Sequence, residues 1–179
     1  MLTYTICFIQ RDQELLLLNR ERSAWMGSWN GVGGKLHQSE APRASIRREV
    51  IEETGMVLRE EDFRFKGLVT WESEAGAPGG MYLYTAMVSP DFPYPTPVKT
   101  DEGILDWKTI EWILHPDNTG LAANLPDFLP LMLKEETCYD HRCFFREGKL
   151  LSVHSVPVPA ACEHLSDYAA MRSTPAGSC

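Results

Sequence analysis

The sequence has few of the features that would place a protein in a membrane, outside the cell or along nucleic acid. No apolar run approaches the roughly 20 residues of a membrane-spanning helix. Residues 1–10 have no basic flank and only a short apolar run, so we expect no secretory signal peptide there. Acidic residues outnumber basic ones by 25 to 17, which gives a net charge of −8. This excess disfavours a protein that coats nucleic acid, because such a protein presents a basic surface to the phosphates.

Cysteine is also scarce, with five residues in a chain of 179. Their odd number and irregular spacing argue against a disulfide framework and favour reduced thiols, so we expect a cytoplasmic protein. Cys138, His141 and Cys143 are close enough in sequence to suggest zinc ligation, but no second ligand pair at zinc-finger spacing follows them. The alternative for these three residues is a buried strand.

Apolar patterning predicts one mixed α+β domain over residues 1–156. Strands are predicted at Thr3–Ile9, Leu15–Asn19, Phe65–Glu72, Met81–Val88, Ile104–Ile110 and in a hairpin over Arg142–Val156. Helices are predicted at Ala41–Thr54, with Ser39 as its cap and Gly55 as its end, and within Leu121–Glu136. Residues 157–179 are rich in Pro, Ala and Ser, so we expect a poorly ordered C-terminal extension.

Three glutamates of the first predicted helix share one face. Glu49 is followed by Glu52 and Glu53 at spacings of three and four residues, which brings the carboxylates together on a helix. Like charges at this spacing repel one another, and a bound cation offsets the repulsion; carboxylate oxygens suit Mg²⁺. Arg43 and Arg47 point away from the carboxylates, and we expect that edge to face water. The alternative is an acidic helix face that is merely solvated.

The residues around these glutamates form a longer pattern, G-x5-E-x7-R-E-U-x-E-E-x-G-U, where U is aliphatic. It is matched at nine specified positions: Gly34, Glu40, Arg48, Glu49, Val50, Glu52, Glu53, Gly55 and Met56. This is the Nudix box, and the chain resembles the MutT-like branch of Nudix hydrolases. The resemblance implies an α+β fold, an α/β/α sandwich in which the box forms loop, helix and loop beside a mixed sheet.

The resemblance also implies a metal centre and a hydrolytic reaction. The metal, Mg²⁺ or Mn²⁺, would be held by Glu49, Glu52, Glu53, the backbone carbonyl of Gly33 and the later Glu102. Arg48 would hold a box carboxylate in place. Glu53 or Glu102 would take the proton of the attacking water, with Glu52 close by. In similar enzymes the products are a nucleoside monophosphate and pyrophosphate.

Substrate-binding residues are implied by the same resemblance. Gly34 would let the chain turn close to the metal. Phosphate contacts are expected from Lys35 and Arg20, although either side chain could instead be solvated. The segment from Trp29 and Asn30 to Lys35 is similar to that of oxidised-purine triphosphatases. The full substrate set is Arg20, Trp29, Asn30, Gly34, Lys35, Tyr82, Tyr84 and Asn124. The tyrosines could instead pack the sheet, and Asn124 could merely cap a helix.

The expected substrate is a nucleotide, and several classes stay open. A purine nucleoside triphosphate such as 8-oxo-dGTP is the first candidate. Ala122 and Ala123 stand where mammalian members carry an acidic pair, so specificity for oxidised guanine stays open. Dinucleotide polyphosphates, nucleotide sugars and capped RNA are alternatives, as is a nucleotide-binding module without catalysis. The oligomeric state has no signature in the sequence.

Overall fold

The computed structural model describes residues 2–23, 25–73 and 78–164. The strands are β1 (Leu2–Arg11), β2 (Glu14–Arg20), β3 (Trp29–Asn30), β4 (Phe63–Ser73), β5 (Gly79–Met87), β6 (Val98–Lys99), β7 (Gly103–Thr109), β8 (Tyr139–Arg146) and β9 (Lys149–Pro157). The helices are α1 (Pro42–Thr54), α2 (Ile110–Ile113) and α3 (Leu125–Lys134), with 3-10 turns at Glu60–Asp62 and Ala160–His164. The predicted strands and helices are confirmed, and β3, β6 and α2 are too short to carry a periodic pattern.

The described strands join in one mixed sheet between two helical layers. Their order is β6-β7-β2-β1-β5-β4-β8-β9, with β3 paired to β2. β1 runs parallel to β5 and β4 parallel to β8, whereas β1 and β4 are antiparallel to β2 and β5 respectively. Successive residues of β1 face opposite sides of the sheet. Cys7 packs in the core that contains Val50 of α1, and Ile6 packs in the core that contains Phe128 of α3. The predicted α/β/α sandwich is therefore confirmed.

Both ends of α1 follow from residues that favour a helix boundary. Pro42 occupies the first turn, where a proline fits because its missing amide has no helical partner. Gly55 ends the helix with a left-handed φ of 74° and donates its amide to the carbonyl of Ile51. The predicted cap at Ser39 is wrong, because the cap position is Ala41 and the chain turns at Ser39 with a φ of 64°.

The chain continues beyond β9 into the 3-10 turn Ala160–His164, which packs on the α1 side of the sheet. Cys162 is fully buried in the core beneath α1, and the neighbouring Glu163 is 6% exposed. The prediction of a poorly packed extension is therefore wrong for this turn. Residues 165–179 of that predicted extension lie outside the described residues.

Cys138, His141 and Cys143 belong to a buried strand region. All three are buried, and the thiol of Cys138 donates to the carbonyl of Phe65. Among the residues that the structure describes, no group of three His, Cys, Asp or Glu side chains is arranged to hold a metal ion. The buried-strand interpretation of these three residues is therefore confirmed. In the same described ranges, no helix has both the length and the apolar surface required to cross a membrane.

His141 is fully buried among aromatic rings. Its imidazole stacks against Phe128 and Tyr139, with ring centroids 5.2 and 5.9 Å away. Nδ1 lies 2.7 Å from the hydroxyl of Ser155, whereas Nε2 is buried with no partner among the described residues. Burial lowers the pKa of His141 to about 4, although the nearby Asp140 charge opposes the shift. The folded protein therefore keeps this side chain neutral.

Acidification is expected to destabilise the fold through His141. The unfolded chain takes up the proton near its ordinary pKa of about 6.5, and the folded chain only near 4. The contribution of neutral His141 to the unfolding free energy is therefore fully present above pH ~6.5. It declines as the pH falls toward 4, by about 3 kcal/mol in total. His141→Gln should flatten the pH dependence of the unfolding midpoint over that range. The exposed His154→Gln should not, and equal slopes in all three proteins would contradict this account.

Candidate active site

The glycine-rich segment before α1 lies directly against β1. Cys7 and Val32 exchange backbone hydrogen bonds of 2.8 and 3.0 Å, and the Thr5 amide donates to the Gly34 carbonyl at 2.8 Å. Gly33 has a φ of 146°, and a Cβ at this position would overlap the Thr5 carbonyl. Glycine is therefore required for the segment to approach β1 this closely.

Two glycines also bring the backbone against two box carboxylates. The amide of Gly33 donates to Glu53 Oε2 at 2.8 Å. A Cβ added to Gly34 would lie 2.6 Å from Glu49 Cδ, so the absence of a side chain makes room for that carboxylate. The loop and the helix therefore meet at Glu49 and Glu53, where the sequence places the site.

Arg48 is the centre of a network that joins the loop to the helix. Its Nε and Nη2 donate to the two carboxylate oxygens of Glu40, both at 2.9 Å. Nη1 donates to Glu49 at 2.7 Å and to Glu52 at 3.0 Å, and Nη2 also reaches the Lys35 carbonyl at 3.1 Å. Hydrogen bonding to Arg48 lowers the pKa of Glu40 to about 2, and the same bond raises the pKa of Arg48. The pairing that the resemblance implies is present and extends to three carboxylates.

Glu40 and Arg43 have contacts that were not predicted from the sequence. Glu40 is specified by the box, so its tie to Arg48 could have been anticipated from the motif. The expectation that the edge with Arg43 and Arg47 faces water is wrong for Arg43, whereas Arg47 is exposed as expected. Arg43 forms an ion pair of 2.8 Å with Glu163, and Arg47 Nε donates to the Leu58 carbonyl at 3.2 Å.

Glu53 is the most buried of the box carboxylates, with an exposed fraction of 8%. Burial raises the pKa of Glu53 to about 7 against the lowering effect of the Gly33 hydrogen bond, and the charges of Glu49 and Glu102 add to the rise. The ionised form is thus opposed by its surroundings, as is typical of functional carboxyl groups. A cation beside Glu53 would stabilise that form.

Glu102 lies in the turn between β6 and β7, where two arginines meet it. Its Oε2 is 3.5 Å from Arg20 Nη2, and its Oε1 is 3.0 Å from Arg22 Nη1. The Arg20 side chain is only 26% exposed and its Nε is buried without a partner among the described residues, so the solvated interpretation of Arg20 is wrong. Arg22 was not predicted, because nothing in the sequence relates it to a residue 80 positions later.

The box carboxylates provide the oxygen donors that a divalent ion requires, but in this conformation they bind protein groups. Glu49 and Glu52 accept from Arg48, and Glu53 accepts from Gly33. Within the described ranges, no three such side chains converge on one point. The buried Glu53 carboxylate fits a cation, because burial and the charges of Glu49 and Glu102 oppose its ionised form and a cation would offset them. Binding would therefore exchange some of these protein donors for the ion.

The two tyrosines of β5 lie on the α1 side of the sheet. Tyr84 is fully buried in that core and its hydroxyl donates to Glu163, so its assignment to the substrate site is wrong and the sheet-packing alternative holds. Tyr82 is 4% exposed in the same core. It borders a cleft of about 500 Å³, which the exposed Lys35 also lines.

Trp29 and Asn30 form the short strand β3, next to the glycine segment. The Trp29 ring packs against Trp112, with centroids 6.4 Å apart, and Lys108 Nζ lies 4.5 Å from the Trp29 ring centroid. Asn30 Oδ1 accepts the Gly31 amide at 2.9 Å. The substrate roles of Trp29 and Asn30 stay predictions, since these contacts do not test them.

Asn124 takes the cap position of α3 without capping it. Its side chain makes no cap hydrogen bond, and its Nδ2 lies 3.6 Å from Cys143 Sγ, a buried atom beneath α3. The capping alternative is therefore wrong.

Two further aromatic pairs join separate segments of the described chain. The ring centroids of Tyr4 and Trp71 are 6.2 Å apart, and those of Trp25 and Phe145 are 6.3 Å apart.

Comparisons with known proteins agree with this geometry. A family model described as NUDIX domain matches residues 2–132. The mouse oxidized purine nucleoside triphosphate hydrolase is 27% identical over 153 residues, which cover 83% of this chain and 90% of the mouse protein. A MutT protein from Bacillus halodurans matches with a TM-score of 0.71 and 22% identity, covering 87% of this chain and 98% of that chain.

A third similar structure contains a metal. It is a bifunctional NMN adenylyltransferase/ADP ribose pyrophosphatase from Francisella tularensis, complexed with AMP and a manganese ion. The TM-score is 0.61 at 15% identity, covering 73% of this chain and 40% of that chain. At these identities the solved structures show a shared fold alone.

Proposed function

Because the chain belongs to the Nudix family and is a hydrolase of phosphoanhydride bonds, we propose that it converts purine nucleoside triphosphates to the monophosphate and pyrophosphate. Oxidised nucleotides such as 8-oxo-dGTP are the first candidates. The observation that carries the proposal is the Arg48 network, which gathers Glu40, Glu49 and Glu52 beside the Gly33–Glu53 hydrogen bond. This arrangement concentrates carboxylates that can hold a divalent cation, which in turn can bind phosphates.

The chemistry divides between a metal ion and side chains of this chain. Nudix hydrolases generally use divalent metals, and Mg²⁺ or Mn²⁺ held by Glu49, Glu52 and Glu53, with Glu102 and the Gly33 carbonyl as further ligands, would neutralise phosphate charge. Glu53 accepts the proton of the attacking water, and Glu102 is the alternative acceptor. Arg20 and Lys35 bring positive charge to the phosphates.

Two observations support a purine base. The mouse relative is named for oxidised purine nucleoside triphosphates, and it matches over most of both chains. Asn30 adjoins the glycine segment, and an asparagine amide can donate to and accept from a purine edge. Asn124, whose amide reaches toward the core beneath α3, is the second candidate for reading the base.

Substrate class is tested by measuring kcat/KM on a panel with Mg²⁺. The panel holds ordinary and oxidised nucleoside triphosphates, ADP-ribose as a nucleotide sugar, a dinucleotide polyphosphate and a capped RNA. The proposal requires the highest kcat/KM on a purine nucleoside triphosphate. A higher value on any other class would retain the hydrolase and replace its substrate.

Asn30→Ala is expected to reduce base discrimination rather than turnover in general. Loss of one hydrogen bond to the base corresponds to about 1 kcal/mol, or roughly a three- to tenfold fall in preference for the best purine over a pyrimidine triphosphate. Asn118→Ala is the matched control, because Asn118 likewise accepts a nearby backbone amide, that of Gly120. Equal losses on every nucleotide in Asn30→Ala would count against base reading.

We also propose that the protein acts in the cytoplasm. Cys7, Cys138, Cys143 and Cys162 are free buried thiols, which suits a reducing compartment. Fractionation of cells that express the tagged protein tests this location.

A further inference from the structure

Helix α1 is fastened at both ends by side chains from outside the box. At its first turn, Arg43 Nε and Nη2 donate to the two carboxylate oxygens of Glu163 at 2.8 and 2.9 Å. The hydroxyl of Tyr84 donates to the same carboxylate at 3.1 Å. At the last turn, the hydroxyl of Tyr94 donates to the Thr54 carbonyl at 2.9 Å. The orientation of α1 on the sheet therefore depends on these contacts as well as on apolar packing.

The Arg43–Glu163 contact has the geometry of a strong ion pair. Two parallel hydrogen bonds join the groups, and the Glu163 side chain is only 8% exposed. Arg43 Nη1 also donates to the carbonyls of Phe63 and Glu60 at 2.7 and 3.1 Å, which ties α1 to the start of β4. Removing one partner leaves a shielded charge without compensation, so the contact cannot be lost without local rearrangement.

The fastened turn of α1 carries groups on which the site depends. Glu40 precedes this turn and Ser45 lies within it, and both accept from Arg48, at 2.9 and 3.4 Å. The cleft of about 500 Å³ is lined by residues 35–42 and by Glu163 and His164. If Arg43 is released, this open space allows the turn to shift, and Arg48 with its bound Glu49 and Glu52 would shift as well.

We propose that Glu163 is a positioning residue for the metal centre, acting through Arg43 on the first turn of α1. The inference rests on the proposed metal-binding role of Glu49, Glu52 and Glu53. It assigns the 3-10 turn Ala160–His164 to the support of the active site, although this turn lies beyond the residues that the family model matches.

Binding of Mn²⁺ without substrate tests the proposal. The free-ion signal in electron paramagnetic resonance gives the Kd directly, without reference to catalysis. Glu163→Gln keeps the shape of the side chain and removes its charge, and we expect a ~10-fold weaker Kd, the size typical of lost support for metal ligands. Tyr84→Phe removes one hydrogen bond and retains the ion pair, so its Kd should stay within about threefold of wild type.

Asp140→Asn is the control for loss of stability alone. Asp140 is buried, accepts from the Thr70 hydroxyl and forms an ion pair of 2.7 Å with Arg142 of β8, so its removal also breaks a shielded charge pair, and the partner in that pair lies outside α1. We expect a lower unfolding midpoint for this variant with an unchanged Mn²⁺ Kd. Glu163→Gln should show both changes, and Glu163→Asp should recover part of the affinity.

The outcomes separate this inference from the proposed function. Failure of the wild-type protein to bind Mn²⁺ would overturn the proposed metal role itself. Wild-type binding with an unchanged Kd in Glu163→Gln would reduce Glu163 to a purely structural residue. If Glu163→Gln does not fold, Glu163→Asp is measured in its place, because it keeps the charge but moves the carboxylate away from Arg43 by one methylene. An unchanged Kd in that variant overturns the positioning role.

Discussion

Glu53→Gln is expected to lose most turnover, on the order of 10²- to 10⁴-fold in kcat, while the protein stays folded. The substitution removes a charge that would bind metal or accept the proton of water. It retains an oxygen that can accept the Gly33 amide, which now donates to Glu53 at 2.8 Å. Burial and neighbouring carboxylates oppose the charge of Glu53, so its removal should leave the metal-free unfolding midpoint unchanged or higher.

The control for Glu53→Gln is Glu61→Gln, at an exposed glutamate whose side chain is 66% accessible. This variant should retain wild-type kcat and the wild-type unfolding midpoint. Steady-state kinetics with saturating Mg²⁺ and thermal unfolding without metal supply the two measurements. Wild-type turnover in Glu53→Gln would exclude this residue from catalysis. A large fall in its unfolding midpoint would attribute the loss of turnover to unfolding rather than to the missing carboxylate.

Arg48→Met is expected to damage both the fold and the site. Three carboxylates would lose their common cation, and the Lys35 carbonyl would lose a donor. Hydrogen bonds to charged groups and partial exposure together indicate a loss of about 2 kcal/mol in unfolding free energy. Because Arg48 orients Glu49 and Glu52, we also expect kcat/KM to fall by about 10²-fold.

Two further variants show whether the geometry of Arg48 matters. Arg48→Lys restores the charge but not the paired hydrogen bonds to Glu40, so it should recover only part of the activity. Arg59→Met removes an exposed arginine that also pairs with two acidic residues, and no resolvable change is expected. Full activity in Arg48→Lys would contradict the importance of the bidentate contact.

The parts of the site that could be predicted from sequence are those encoded locally. Glu49, Glu52 and Glu53 lie within two turns of one helix, and their shared face follows from helical periodicity alone. Gly33 and Gly34 were predictable as points of close approach; at Gly33 the neighbour is the backbone of Thr5, which leaves no room for a side chain. The box therefore indicated both the chemistry and its location.

The errors arose where a local pattern leaves a choice between two faces or two distant partners. Alternation in β5 places Tyr82 and Tyr84 on one side of the sheet but does not say which side, and they lie beneath α1. Arg43 was expected to face water, because nothing near it in sequence points to a partner 120 residues later. Only the return of the chain after β9 brings Glu163 to Arg43.

Metal-dependent hydrolysis of a purine nucleoside triphosphate can be tested by direct analysis of the products. 8-oxo-dGTP and dGTP would each be incubated with the wild-type protein, with Mg²⁺ or with a chelator, and the products quantified by chromatography. We expect equal amounts of nucleoside monophosphate and pyrophosphate with Mg²⁺ and none with the chelator. Absence of cleavage with Mg²⁺, or equal cleavage with the chelator, would contradict metal-dependent hydrolysis of this substrate class.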